Sequence, residues 1–270
     1  MSRGVILFAF NSTKYNYYEM AEYTAKRVNH FLNLPVTIVT DEESLPASTD
    51  YVWDKIVTIT PDKNNVRSWG QWINKGRYQA YQLSPYDETI LLDVDYVVNS
   101  DKLLTTFDVY DELCCHNTTH FLMQPGTHTD RLSDYSYETL WATVVTFKKT
   151  NYVKQIFECI KMIQDNYEHY ENIHRFVGGT YRNDFALTLA LRIVNGHSVP
   201  SNTFIPWDLV HIGQNTQIYA NEVDQLNTEY TVMFDHWYRD KIRKEYMTIK
   251  DMDFHVLDKD LFVGLMNDGQ

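Results

Sequence analysis

The sequence predicts an α/β fold, a mostly parallel central sheet flanked by helices. Three observations carry this. Short apolar or β-branched runs alternate with stretches of helical periodicity along the N-terminal part of the chain. The first three elements read strand, helix, strand, which implies a right-handed crossover and a parallel pair. The chain has 270 residues, 44% hydrophobic and 22% charged, which is globular composition at the length of one α/β domain with insertions.

The elements follow in order. Gly4 to Phe10 is a continuous apolar run, as in a strand buried on both faces. After a polar turn from Asn11 to Asn16, the stretch Tyr17 to Leu32 places Tyr17, Met20, Ala21, Thr24, Val28, Phe31 and Leu32 on one helical face. Val36 to Thr40 is a β-branched strand behind Pro35, and Lys55 to Ile59 a third strand stopped before Pro61. A helix is expected within Arg67 to Leu83, from Trp72 onward, and Thr89 to Val98 (TILLDVDYVV) is the strongest strand signal. Val144 to Phe147 reads as a short strand and Asn151 to Tyr170 as a long helix. Gly178 and Gly179 mark a loop, and a helix from Asp184 to Val194 ends at Asn195-Gly196. Tyr230 to Asp235 and Phe254 to Leu257 read as late strands. No repeat or linker divides the chain, so a single domain over 1–270 is expected, with a nucleotide-binding half over 1–98 and a variable half over 99–270.

Composition narrows the function. A formal net charge of −12 argues against a nucleic-acid-binding face, with Lys241, Arg243 and Lys244 the best local basic cluster. The opening MSRGVILFAFNSTKY is a buried strand rather than a signal peptide, and no segment approaches the roughly 20 apolar residues that span a bilayer. Cys114, Cys115 and Cys159 form neither a disulfide framework nor a zinc knuckle. A cytoplasmic, reducing setting is expected. The chain is rich in aromatics (Tyr 20, Phe 13, Trp 6), which suits stacking on sugars and bases.

The chemistry centres on Asp93 and Asp95. Two residues apart on an extended strand, their side chains point the same way, at the carboxyl end where parallel sheets bind ligands. Asp-x-Asp supplies hard oxygens to Mg²⁺ or Mn²⁺ and leaves the opposite side of the ion for a nucleotide diphosphate.

The stretch RYQAYQLSPYDETILLDVDYVV, Arg77 to Val98, resembles the glycogenin-like glycosyltransferases of the GT-A (Rossmann-like) fold. The resemblance implies metal-dependent transfer of a hexose or pentose from a nucleotide sugar, a UDP-sugar first, to a hydroxyl acceptor. It implies that Arg77 contacts the donor, where the family usually has Lys. FAFNSTKY resembles the nucleotide-contacting turn and points to Phe10 and Asn11; VTIVTDE points to Asp41 near the base or ribose. FVGGTYRND resembles the turn before a late helix and implies Asn183 and Asp184 at the transferring sugar. For Asp184 a plain helix-capping role is the alternative. DFHVLDK resembles the late His and Lys, which implies His255 as third metal ligand and Lys259 on the diphosphate and donor. Two departures stand out: LWATVVTF (Trp141, Ala142, Thr143) replaces an Asn-Ser-Gly-like entry, and the spacing after His255 differs from His-x-x-Gly-x-x-Lys.

Other classes compete. Asp93, Asp95 and Val97 also match a haloacid-dehalogenase phosphatase, with Asp93 as nucleophile and Asp95 as general acid/base. A non-catalytic GT-A relative is opposed by the presence of both aspartates, His255 and Lys259, and a pyrophosphorylase by the lack of a Gly-rich loop after the first strand. The acceptor is open: glycan, protein, lipid-linked sugar or a hydroxymethylated DNA base, the last disfavoured by charge. Trp69 and Trp72 are candidates for an acceptor wall.

Overall fold

The computed structural model describes residues 1–49, 51–67, 70–71, 73–109, 112–122, 126–176, 180–213, 216–221, 226–238 and 241–267. In chain order the strands of the first half are β1 (Arg3–Phe8), β2 (Val36–Thr40), β3 (Lys55–Thr58), β4 (Val66–Arg67), β5 (Gly70–Gln71), β6 (Glu88–Leu92) and β7 (Tyr96–Val97). Those of the second half are β8 (Leu113–His116), β9 (Thr119–Phe121), β10 (Trp141–Lys148), β11 (Leu209–Ile212), β12 (Thr216–Ala220), β13 (Glu229–Tyr238), β14 (Lys241–Lys250) and β15 (Phe254–Val256). The helices are α1 (Tyr17–Leu32), α2 (Ala80–Leu83), α3 (Thr105–Val109), α4 (Asn151–Asp165), α5 (Tyr167–His174), α6 (Asn183–Val194) and α7 (Lys259–Asn267).

The central sheet has the order β3-β2-β1-β6-β10-β8. Strands β3, β2, β1 and β6 run parallel, and β10 runs antiparallel to both of its neighbours. This is the mostly parallel, helix-flanked sheet expected from the sequence. Burial on both faces explains the unbroken apolar reading of β1. Val5 and Leu7 pack with Tyr18 and Met20 of α1, while Ile6 and Phe8 pack with Ile156 and Ile160 of α4 and Leu187 of α6. A second sheet, β7-β15-β11-β9, continues beyond the end of β6, and a third, β12-β13-β14, is antiparallel throughout.

Local chemistry sets the helix ends. The Asn16 side chain accepts from the Glu19 N–H at the start of α1, and Asn33 closes it in the left-handed region at φ 50°. Thr150 caps α4 by accepting from the Val153 N–H at 3.2 Å.

Three sequence expectations are corrected, and one strand is added that the sequence did not announce. The helix expected from Trp72 is a 3-10 turn over Asn74–Gln79 followed by the short α2; it ends at Ser84, which is extended before Pro85. Trp69 and Trp72 themselves lie outside the described residues. The helix expected to run to Tyr170 breaks at Asn166, whose side-chain amide donates to the Met162 carbonyl at 2.8 Å and competes with helical continuation. The strand expected over Thr89 to Val98 divides into β6 and β7, in two different sheets. Finally, KIRKEYMTIK forms β14, which carries no alternating apolar pattern because nearly all of it is exposed.

His116, on β8, is fully buried. Its Nδ1 lies 2.9 Å from the Trp207 carbonyl, which only accepts, so Nδ1 carries the proton. Its Nε2 is buried and has no partner, and burial pushes the ring from 6.5 down to about 4. The stability this neutral ring contributes is present above the unfolded value and is lost as pH falls through the folded one. Between about pH 7 and pH 4.5 the wild type is expected to lose about 2–3 kcal/mol more than His116→Asn, which keeps a donor for Trp207 without titrating. Urea unfolding at both pH values measures this; a pH-independent difference between the two proteins would refute it.

Candidate active site

The site is built where the central sheet hands the chain to the second sheet. Asp93 follows β6 directly, and its N–H still bonds the Thr143 carbonyl of β10 at 3.0 Å. The chain then turns: the Tyr96 N–H donates to the Asp93 carbonyl at 3.2 Å. The Asp95 carbonyl accepts from the Val256 N–H of β15 at 3.0 Å, and Tyr96 pairs in register with His255. The Thr24 hydroxyl of α1 donates to the Val94 carbonyl at 2.6 Å from behind. The two carboxylates are therefore brought together by a pinned turn, not by the pleat of one strand.

Asp93, Asp95 and His255 offer ligand atoms that all lie within 4.8 Å of one another. His255 Nε2 is 3.2 Å from Asp95 Oδ1, and Lys259, at the start of α7, pairs with Asp95 Oδ2. The Asp258 carboxylate caps α7 by accepting from the Asp260 N–H at 2.9 Å, which fixes where that lysine sits. Arg77, 4% exposed, pairs with Asp93 and donates to the Ala142 carbonyl at 2.7 Å. Burial raises the Asp95 carboxyl, but Lys259 and His255 more than offset this and hold it well below the usual carboxylate range. Burial pushes Asp93 upward, with Arg77 opposing and the Asp95 charge adding to the rise. Two hard carboxylates and one imidazole, close together and in electrostatic conflict, suit a divalent cation such as Mg²⁺ or Mn²⁺.

These groups face a cleft of about 200 Å³. Phe8, Phe10 and Tyr17 line one part of it, and Tyr181, Asn183 and Asp184 another. Burial and the Asp95 charge raise the Tyr17 phenol, which therefore stays protonated.

Of the residues singled out in the sequence, Phe10, Arg77, Asp93, Asp95, Asn183, Asp184, His255 and Lys259 all line this cleft. Asn11 and Asp41 do not. Asn11 accepts from the Tyr18 N–H at 3.0 Å and Asp41 from the Ser44 N–H at 3.0 Å, so both order the loops that follow β1 and β2. Asp184 stands in the first turn of α6 as expected but does not cap it; Arg182 holds that position. Instead Asp184 accepts from the Ala142 N–H at 2.9 Å and from Arg182 at 3.0 Å, joining α6 to β10. Gly178 and Gly179 lie outside the described residues.

Sequence reading missed His211, fully buried on β11 beside His255. A histidine inside the apolar run Leu-Val-His-Ile was the available signal. The phosphatase alternative is not supported. Its general acid would be Asp95, whose carboxyl is held ionised by Lys259 and His255.

No family model matches the chain, and no curated protein matches it. Among solved structures, the glycosyltransferase GlyE of Streptococcus pneumoniae TIGR4 is similar at 12% identity and a TM-score of 0.43, over 72% of this chain and 43% of that one. This chain thus spans less than half the length of GlyE. The galactosyltransferase LgtC, solved in complex with donor and acceptor sugar analogs, is similar at 14% identity and a TM-score of 0.46, over 70% of each chain. Likeness at this level leaves function to be read from the site. No helix among the described residues is long and apolar enough to cross a membrane.

Removing the Arg77 guanidinium leaves Asp93 and the Ala142 carbonyl without their partner. Arg77→Met is expected to cost about 3 kcal/mol of stability by denaturant unfolding, the scale of a broken buried pair. In an Asp93→Asn background the loss should shrink by about 1 kcal/mol or more; an equal loss in both backgrounds would show that the ion pair is not its source.

Proposed function

We propose that this chain is a glycosyltransferase that moves a sugar from a nucleotide-sugar donor, a UDP-sugar first, to a hydroxyl acceptor. The observation that carries the reading is the convergence of Asp93, Asp95 and His255 on one edge of a cleft, with cationic side chains on either side. The donor set fits Mn²⁺ or Mg²⁺, and Asp93, Asp95 and His255 would hold the ion. A cation there supplies charge neutralisation to the departing nucleotide diphosphate.

The chain's own residues take the remaining roles. Lys259 is placed to exchange its contact with Asp95 for a donor phosphate. Phe10, 3% exposed at the cleft, offers an apolar wall to the nucleotide. Arg77 orients Asp93 through its pair and its bond to the Ala142 carbonyl. Asn183 and Asp184 offer hydrogen bonds to the hydroxyls of the transferring sugar from the start of α6. The nucleotide is assigned to residues 1–98 and the acceptor side to 99–270, within one catalytic domain.

The deciding experiment incubates the protein with Mn²⁺ and a panel of nucleotide sugars and measures released nucleoside diphosphate, with and without chelator. Chelator-sensitive release from one donor is expected; no release from any donor would sink the reading. Asp95→Asn should lower turnover by roughly 100- to 1000-fold, the scale of a lost electrostatic contact in a transition state. Asp184→Asn keeps an oxygen for the Ala142 N–H, so its melting temperature should stay close to wild type while transfer is mostly lost. An active, stable Asp184→Asn would assign that carboxylate to the α6–β10 junction alone.

A further inference from the structure

His211, buried beside His255, has no role so far. It faces His255 across the parallel pair β11–β15, in register with it, and the two Nδ1 atoms lie 3.2 Å apart. Phe121 packs at 5.0 Å and Trp141 at 4.9 Å between ring centroids, which hold the His211 ring in place. Its Nε2 is buried and has no hydrogen-bond partner, so Nδ1 makes its only hydrogen bond among the described residues.

We propose that His211 is a positioning residue that sets the tautomer of His255, and so decides whether His255 presents a lone pair to a divalent cation at Asp93 and Asp95. The proposal rests on the cation reading above. A hydrogen bond between two Nδ1 atoms contains one proton, owned by one ring or the other. When His211 Nδ1–H donates, His255 keeps its proton on Nε2 and donates it to Asp95 Oδ1, the contact seen at 3.2 Å. In that state His255 has no lone pair facing the carboxylates. When His255 Nδ1–H donates, Nε2 is bare and free to ligate. Which state holds is set by the His211 ring: its Nδ1 donates when it carries that ring's proton and accepts when the proton is on Nε2.

Going from the first state to the second, the proton between the rings moves to His255. The two states differ only in which nitrogens hold the protons: in the second, His255 Nε2 is bare and His211 carries its own proton on Nε2. The count of protons on the pair is unchanged. A carboxylate in the place of His211 would lock the ligating state, and an apolar side chain would support neither.

The test titrates the full chain with Mn²⁺ by calorimetry, without donor, beside metal-free thermal melts. His211→Phe preserves ring packing against Phe121 and Trp141 but not the hydrogen bond; Mn²⁺ affinity should fall roughly 10- to 100-fold, the usual effect of losing the partner of a ligating histidine. His211→Asn keeps a polar atom near the position of Nδ1 and should bind within about threefold of wild type. Wild-type affinity in a folded His211→Phe, or equal weakness in both folded variants, would overturn the proposal. A second measurement does not depend on any variant folding. Long-range ¹H–¹⁵N spectra of the wild type saturated with Mg²⁺ should show His255 protonated on Nδ1, and protonation on Nε2 would overturn the proposal. A wild type that binds neither ion removes the cation reading and this one together, whereas a wild type that binds with His211→Phe unaffected removes only this one.

Discussion

The site depends on one backbone constraint: the turn from Asp93 to Tyr96 is tied at both ends to different sheets. The Asp93 N–H belongs to the ladder with β10 and the Asp95 carbonyl to β15, while Thr24 of α1 holds the carbonyl between them. The backbone of the turn cannot shift without breaking one of these bonds. The second sheet is what delivers His255, since β15 exists there only by pairing with β7 and β11. A plain extension of β6 would have carried the two aspartates away from the histidine.

Electrostatics follows from that geometry. Two carboxylates forced together in a partly dry cleft repel, and the fold answers with one cation from each side, Arg77 and Lys259. The two are not equivalent. Arg77 is bidentate in effect, gripping Asp93 and the Ala142 carbonyl at once, which suits a planar, permanently charged fork. Lys259 is a single ammonium on a flexible stem at a helix start, a contact easily exchanged. One cation is built into the wall, and the other stands on a flexible stem at the start of α7.

Much of this was legible in the sequence, and the boundary is physical. Residues such as Val5 to Phe8 and Val36 to Thr40 announced themselves because burial on both faces demands unbroken apolar runs. The carboxylate pair, His255 and Lys259 were legible through resemblance of their local stretches. What stayed hidden was set by tertiary partners. Asn166 ends a helix through its own amide, the Asp93–Tyr96 turn looks apolar enough to be strand, and Asp184 caps nothing because Ala142 and Arg182 claim its oxygens. His211 looked like one of 10 histidines, and only strand register reveals its neighbour. β14 was invisible for the opposite reason: it buries almost nothing, so it left no pattern to read.

That same strand lies at the rim of its sheet, with its outer row of amides and carbonyls beyond β13. A ten-residue rim with exposed Ile242, Tyr246 and Met247 is a template on which like strands can stack into fibrils. Lys241, Lys244 and Lys250 are spread along its length. Two such rims brought side by side would crowd these like charges. The lysines thus act as gatekeepers, keeping a long exposed edge strand from pairing with copies of itself.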